Sequence, residues 1–295
     1  MRIVRNVFSG IFSFVLVVVL IALGIVVTVN LTVLNPAFVI SELDKSDVYS
    51  IIVEQVKKQL PQEEPYMAQI AGETITDLEP WFKEQVNVVI YGGYAYLKGD
   101  QELNIVISLE QVRASLKANL EQAIFESPPP ELEGVPQSQI QALLSQVYAQ
   151  IDSQIPQQIE ITETSLGPEA AARFQQARQI VSYIEFGYKV LIGLAILLVL
   201  LIALMQWWRV KPIARYIGIP FTITGALSLV SAIAARSLIL RIIPFEIPPE
   251  IEAKLPQLIS DFTNPLLIYG AAFLIAGIGL IVLSIKLKSP SVENA

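Results

Sequence analysis

The chain contains no cysteine and no histidine. Without thiols, no disulfide can brace any part of it, and redox compartment cannot be read from cysteine usage. Without imidazole, Ser-His-Asp and Cys-His catalysis, the HExxH zinc motif and histidine-based pH switching are excluded. Charge is also scarce. Charged residues make up 16% of the chain and hydrophobic residues 53%, against roughly 25% and 45–50% in a soluble domain. There is no G-x-x-x-x-G-K-[ST] loop, no G-x-G-x-x-G turn and no D-x-[DN]-x-[DN]-G calcium loop, so phosphate-loop, dinucleotide and EF-hand chemistry have no sequence support.

What is present is a set of four long apolar runs, the signature of an integral membrane protein. The first, residues 8–29, follows Arg2 and Arg5 and carries no charge. A cleaved signal peptide would have an apolar core of about 7–15 residues and an A-x-A-like site. This run is longer and ends in Val27-Thr28-Val29-Asn30, so a retained transmembrane helix is expected.

Residues 36–186 differ in kind, with 22 acidic against 9 basic side chains, a net charge of −13; the rest of the chain holds 5 acidic against 11 basic. This stretch reads as one acidic, mainly helical domain. Asn35-Pro36 is a cap followed by a first-turn proline. Ser46-Asp47 opens a helix expected to turn Val48, Ile51, Ile52, Val56 and Leu60 inward. Met67, Ile70, Ala71, Ile75 and Leu78 form a further apolar face, and Pro80 starts a helix that stops near Gly99-Asp100. Its Tyr91-Gly92-Gly93-Tyr94 reads as an irregularity or a close packing contact. Ser108 with Gln111 reads as a capping box, and Ser127 to Pro136 as an exposed proline loop. Two β-rich runs, 104–108 and 158–162, are candidates to pair as a two-stranded ribbon.

A long helix is expected from Gly167 to Trp208, continuing from residue 168 into a second span at 188–208. The third and fourth spans are placed at 217–235 and 265–285. Between them, residues 236–264 read as a short second outer segment, broken by Pro244, Pro248 and Pro249, with an amphipathic helix carrying Leu255, Leu258, Ile259 and Phe262. So apolar a face should not stand in water, and docking on the large outer domain is expected. Arg2, Arg5, Arg209, Lys211, Arg215, Lys286 and Lys288 fall on one side, which puts both termini in the cytoplasm of a plasma membrane and the acidic domain outside. The fold class is therefore an all-α integral membrane protein with four transmembrane helices and a mainly helical extracytoplasmic domain between spans one and two. In order of parts it resembles claudin-like four-span proteins, but without cysteine it cannot carry their extracellular disulfide.

The sequence assigns no catalytic, cofactor-binding or metal-binding residue. Glu42, Asp44 and Asp47, Glu63-Glu64, and Glu131 with Glu133 read as a solvated acidic surface, which would repel nucleic acid. In span three, Thr222, Thr224, Ser228 and Ser231 read as helix-packing hydrogen bonders. In span four, Gly270, Ala272, Ala276, Gly277 and Gly279 form a strip for close helix contact inside the monomer. Leu255, Leu258, Phe262, Arg236 and Arg241 are the interaction candidates, the two arginines as partners for the acidic domain. The expected function is a non-enzymatic membrane protein, prokaryotic in character, whose outer domain interacts with a protein or envelope partner or with a second copy. A subunit of an oligomeric channel or transporter is the alternative.

Overall fold

A computed structural model describes residues 2–60, 65–132, 134–242 and 252–287. Of the residues singled out above, Glu63, Glu64, Glu133, Pro244, Pro248, Pro249 and Lys288 lie outside the described residues, as do the side chains of Arg2, Glu131 and Arg241. The chain divides into two compact units, one of residues 1–39 with 180–295 and the other of residues 40–179.

The first unit is built on helices long and apolar enough to cross a membrane, and among the described residues there are four such spans: Arg5–Leu31, Gly167–Met205, Val210–Leu238 and Leu255–Lys286. They belong to α1 (Arg2–Leu31), α8 (Gly167–Met205), α9 (Val210–Ile242) and α10 (Leu255–Lys286). The chain is thus a multi-pass membrane protein by the length and composition of its helices. Leu16, Val19 and Leu20 of α1, Leu198 and Ile202 of α8 and Ile217 of α9 form the buried centre of this unit.

In a membrane, each polar backbone group needs an internal partner, and the first unit meets that need at Pro220. Proline at this position deprives the Tyr216 carbonyl of its helical N–H, and the Ser13 hydroxyl of α1 donates to that carbonyl at 2.7 Å. Nearby, the Tyr269 hydroxyl of α10 donates to the Leu20 carbonyl at 2.7 Å. Its ring lies where a side chain on Gly24 would stand, with Tyr269 Cε1 2.8 Å from the position of a Cβ.

The second helical span ends at Met205 rather than Trp208. The Trp208 N–H reaches the Ala203 carbonyl at 3.1 Å and the Trp207 N–H the Leu204 carbonyl at 3.0 Å, the bonding of a Schellman motif. Its cost is visible in the backbone: Trp207 and Trp208 sit at φ 51° and 56°, a left-handed conformation disfavoured by about 1–2 kcal/mol for a residue with a Cβ. The third helix likewise overruns 217–235 at both ends. The amphipathic segment and the fourth span are one helix, α10, with Pro265 inside it.

The second unit contains α3 (Val48–Lys58), α4 (Pro65–Asp77), α5 (Glu79–Lys98), β1 (Asn104–Ser108), α6 (Glu110–Glu126), α7 (Gln137–Gln154) and β2 (Gln158–Thr162). It also takes the part of α2 (Pro36–Lys45) from Ile40 onward and the part of α8 up to Gln179. The Asn35 side chain caps α2 by accepting the Ala37 N–H at 3.1 Å. The two short strands pair antiparallel, with Asn104 opposite Thr162 and Ser108 opposite Gln158. The ladder continues into Leu109, whose N–H meets the Gln157 carbonyl at 2.8 Å. Ser108 ends the strand and the N-cap position of α6 falls on Leu109, yet the Ser108 hydroxyl still accepts the first N–H of the helix, that of Glu110, at 3.4 Å. The expected capping is met by Ser108 one residue early, without the reciprocal Gln111 bond of a capping box. α5 runs unbroken through Gly92-Gly93 and ends at Gly99, φ 83°. Gly92 is a packing contact, since a Cβ there would stand 2.7 Å from Ile105 Cγ1.

One ion-pair group ties α6 to α7. Arg113 bonds Asp152, and Lys117 reaches the same carboxylate at 2.6 Å. Lys117, then Arg113, hold the Asp152 carboxyl below its ordinary value of 3.8. A depressed folded value means the pair stabilises the folded state fully above the unfolded pKa and is lost as pH falls through the folded one. Protection of the α6 and α7 amides from hydrogen exchange, taken relative to the intrinsic rate at each pH, should thus fall below about pH 4 in the wild type, against the carboxylate reference. Asp152→Asn should already be less protected at pH 6 and show a smaller acid loss. An identical acid loss in both proteins would remove Asp152 from the account.

Candidate functional site

The second unit carries an apolar cleft between α3, α4 and α5, of about 160 Å³, lined by Ile52, Val53, Val56, Ile75, Leu78, Trp81 and Phe82. It exists because α3 is apolar on more of its circumference than its neighbours cover. Tyr49 and Val53 are the residues that α3 buries. Ile52 and Val56, expected inward, remain 39% and 43% exposed on the cleft wall. The ring of Phe82 meets Tyr49 edge-on, with centroids 6.2 Å apart, and closes the inner end of this packing.

Trp81 belongs to two concavities at once. Beyond it, α5 and α6 bound an open groove of about 600 Å³ lined by Glu84, Gln85, Ser108, Glu110, Gln111, Ala114, Ser115 and Ala118. The indole N–H donates to the Ser108 carbonyl at 3.1 Å, which fixes the ring between cleft and groove. Glu84 and Glu110 are exposed. The basic residues nearby in sequence are already paired: Lys83 with Asp44 at 2.9 Å, and Arg113 and Lys117 with Asp152. The hydrogen bond to Asp44 holds the Lys83 ammonium above its ordinary value.

A third feature, Tyr96, is fully buried against Leu103 and Ile105. The Arg178 guanidinium lies over its ring, 5.0 Å from the centroid, and burial, then the Glu163 carboxylate, push its phenol upward. Among the described residues, no group of three His, Cys, Asp or Glu is placed to hold a metal ion.

The interaction candidates in the first unit sit at the start of α10. Ile259 and Thr263 are buried, while Leu255, Leu258 and Phe262 are half-buried. Phe262 packs edge-on against Phe38 of α2, ring centroids 4.9 Å apart. Arg236 of α9 donates from Nε to Thr263 Oγ1 at 2.8 Å and from its terminal nitrogen to the Ser260 carbonyl at 3.2 Å. Both of these partners, a hydroxyl and a carbonyl, lie on α10, beside which α9 runs on past Arg236. Phe262→Ala removes the Phe38 contact from a half-covered site, and an aromatic pair is worth about 0.5–1.5 kcal/mol beyond its area. A lowering of thermal stability in detergent by a few degrees is expected; no shift in melting would show that the pair contributes nothing.

Of the polar residues in span three, Thr224 and Ser228 are buried and Thr222 bonds the Gly218 carbonyl at 2.9 Å, so only Ser231 among the four is exposed. In span four the strip divides. Gly270 and Gly277 press on α9, whereas Ala272, Ala276 and Gly279 face away. The sequence reading missed the cleft and its Trp81 junction; the only signal for it was an apolar surplus on α3. Comparison of the chain with protein-family models, curated proteins and solved structures finds no match to any of them.

Proposed function

We propose that this is a non-enzymatic plasma-membrane protein of prokaryotic character, with both termini in the cytoplasm. Its acidic helical domain stands outside and binds a protein or envelope partner. The observation that carries the reading is the open apolar cleft of the second unit, where Ile52, Val56 and Trp81 line a concavity. Leaving such side chains in water forgoes about 25 cal/mol for each Å² that a partner would cover. The orientation is supported by the basic residues that flank α1, the α8–α9 turn and the end of α10 on one side, as the positive-inside rule asks. The channel alternative gains nothing from span three, whose hydroxyls turn mostly inward.

The test is recovery of the tagged full-length chain from its native membrane in mild detergent, beside an Ile52→Glu/Val56→Glu variant. Both side chains are exposed, so the variant should fold. A stoichiometric partner is expected with the wild type and at least tenfold less of it with the variant. Equal recovery would remove the cleft from the interface. A homogeneous homo-oligomer with no partner would instead direct attention to flux measurements.

A further inference from the structure

We infer that the partner enters this surface with a cationic, apolar-anchored peptide segment, an inference that rests on the interaction reading above. The cleft is walled by seven side chains of which none but Trp81 carries a polar atom. At about 160 Å³ it has room for one or two large apolar side chains. The groove beyond Trp81 is polar, holds Glu84 and Glu110, and includes no basic residue. Among the described residues neither carboxylate has an ion-pair or hydrogen-bond partner for its side chain, whereas Lys83, Arg113 and Lys117 beside them are already neutralised. The lining therefore presents a hydrophobic hole and, one indole ring away, an uncompensated negative groove. The surrounding stretch repeats the sign, with its net charge of −13 over residues 36–186. A segment with a Phe or Leu anchor and Lys or Arg a few residues along satisfies both parts. An acidic segment would meet like charge, and the same field would speed encounter with a basic one.

The full chain offers a direct probe, because Trp81, Trp207 and Trp208 are its only tryptophans. In a Trp207→Phe/Trp208→Phe background, reconstituted in nanodiscs, Trp81 reports alone. Two nine-residue peptides of equal apolar content are titrated, one with Phe and Leu among three lysines and one with the lysines replaced by glutamates. The basic peptide should change Trp81 emission saturably and bind roughly tenfold tighter than the acidic one, the scale set by two partly exposed ion pairs. That preference should shrink in 0.5 M salt and fall severalfold in Glu84→Gln/Glu110→Gln, and a preference unchanged in that variant would overturn the placement of the basic residues in the groove. Equal binding of the two peptides, or no saturable change, would overturn the inference. So would quenching of Trp81 by brominated lipid, which would assign the cleft to an acyl chain. If the peptide preference fails while the native partner still depends on Ile52 and Val56, the charge assignment falls and the interaction reading stands. If no native partner depends on them, both fall.

Discussion

Leucine in place of Gly225 should separate α9 from α10 and lose the folded membrane unit. A Cβ at Gly225 would run into the Leu274 backbone nitrogen and stand 2.7 Å from the Gly270 carbonyl oxygen. The reciprocal contacts hold on the other helix: a Cβ on Gly277 would meet the Thr222 backbone nitrogen, with the Gly218 carbonyl oxygen 2.8 Å away. Gly218 and Gly225 on α9, like Gly270 and Gly277 on α10, are seven residues apart, about two helical turns, so both members of each pair stay on the contact face. Backbone atoms cannot rotate aside as a side-chain tip can. Overpacking here should therefore reach the upper end of the usual cost, about 3 kcal/mol or more. That is more than a hundredfold in the folded ratio, and size-exclusion profiles with thermal unfolding in detergent would read it. Gly279→Leu is the matched control, since nothing stands within 4 Å of its Cβ position. Comparable damage from both substitutions would show that the paired glycines are not the contact.

Tyr96→Ala should have the next largest effect, confined to the second unit. Tyr96 is 0% exposed and anchors the cluster of Leu103 and Ile105, flanked by Val89, Leu97, Ile107, Ile161 and Leu166. Truncating a buried aromatic to alanine costs about 3–5 kcal/mol, a large share of a domain's net stability of 5–15 kcal/mol. Limited proteolysis of the full chain should then cut within residues 79–166 at protease levels the wild type resists. Tyr96→Phe keeps the ring under Arg178 and removes only the hydroxyl, so its cost should stay within about 1 kcal/mol. If Tyr96→Phe were as damaging as Tyr96→Ala, the hydroxyl and Glu163 would hold this core rather than the ring.

These two sites show why the sequence was legible in unequal parts. The spans were plain because all-round apolarity accumulates over some 20 residues, and no local exception cancels it. The strands at 104–108 and 158–162 were visible through β-branched side chains, and they pair. The small-residue strip was visible as composition, but which glycines touch depends on the register between two helices far apart in sequence. Hence Gly270 and Gly277 are contacts and Gly279 is not. Helix ends were read less well. Trp207 and Trp208 occupy left-handed positions where glycine is the usual signal, and Ser108 carries a capping pattern but ends a β ladder one residue before the cap position. The cleft was hidden for a related reason. On α3, Tyr49 and Val53 compete with Ile52 and Val56 to face inward, and only the positions of α4 and α5 decide between them.

The central claim is an acidic domain displayed on the outer side of a four-span anchor, and the absence of cysteine makes it directly testable. Single cysteines are placed at Ser145, exposed on α7, and at Arg209, exposed in the turn before α9. Intact cells are then treated with a membrane-impermeant maleimide. The account predicts labelling of Ser145→Cys without lysis and of Arg209→Cys only after it. Labelling of Arg209→Cys in intact cells, with Ser145→Cys protected until lysis, would invert the topology and remove the outer surface on which the interaction reading stands.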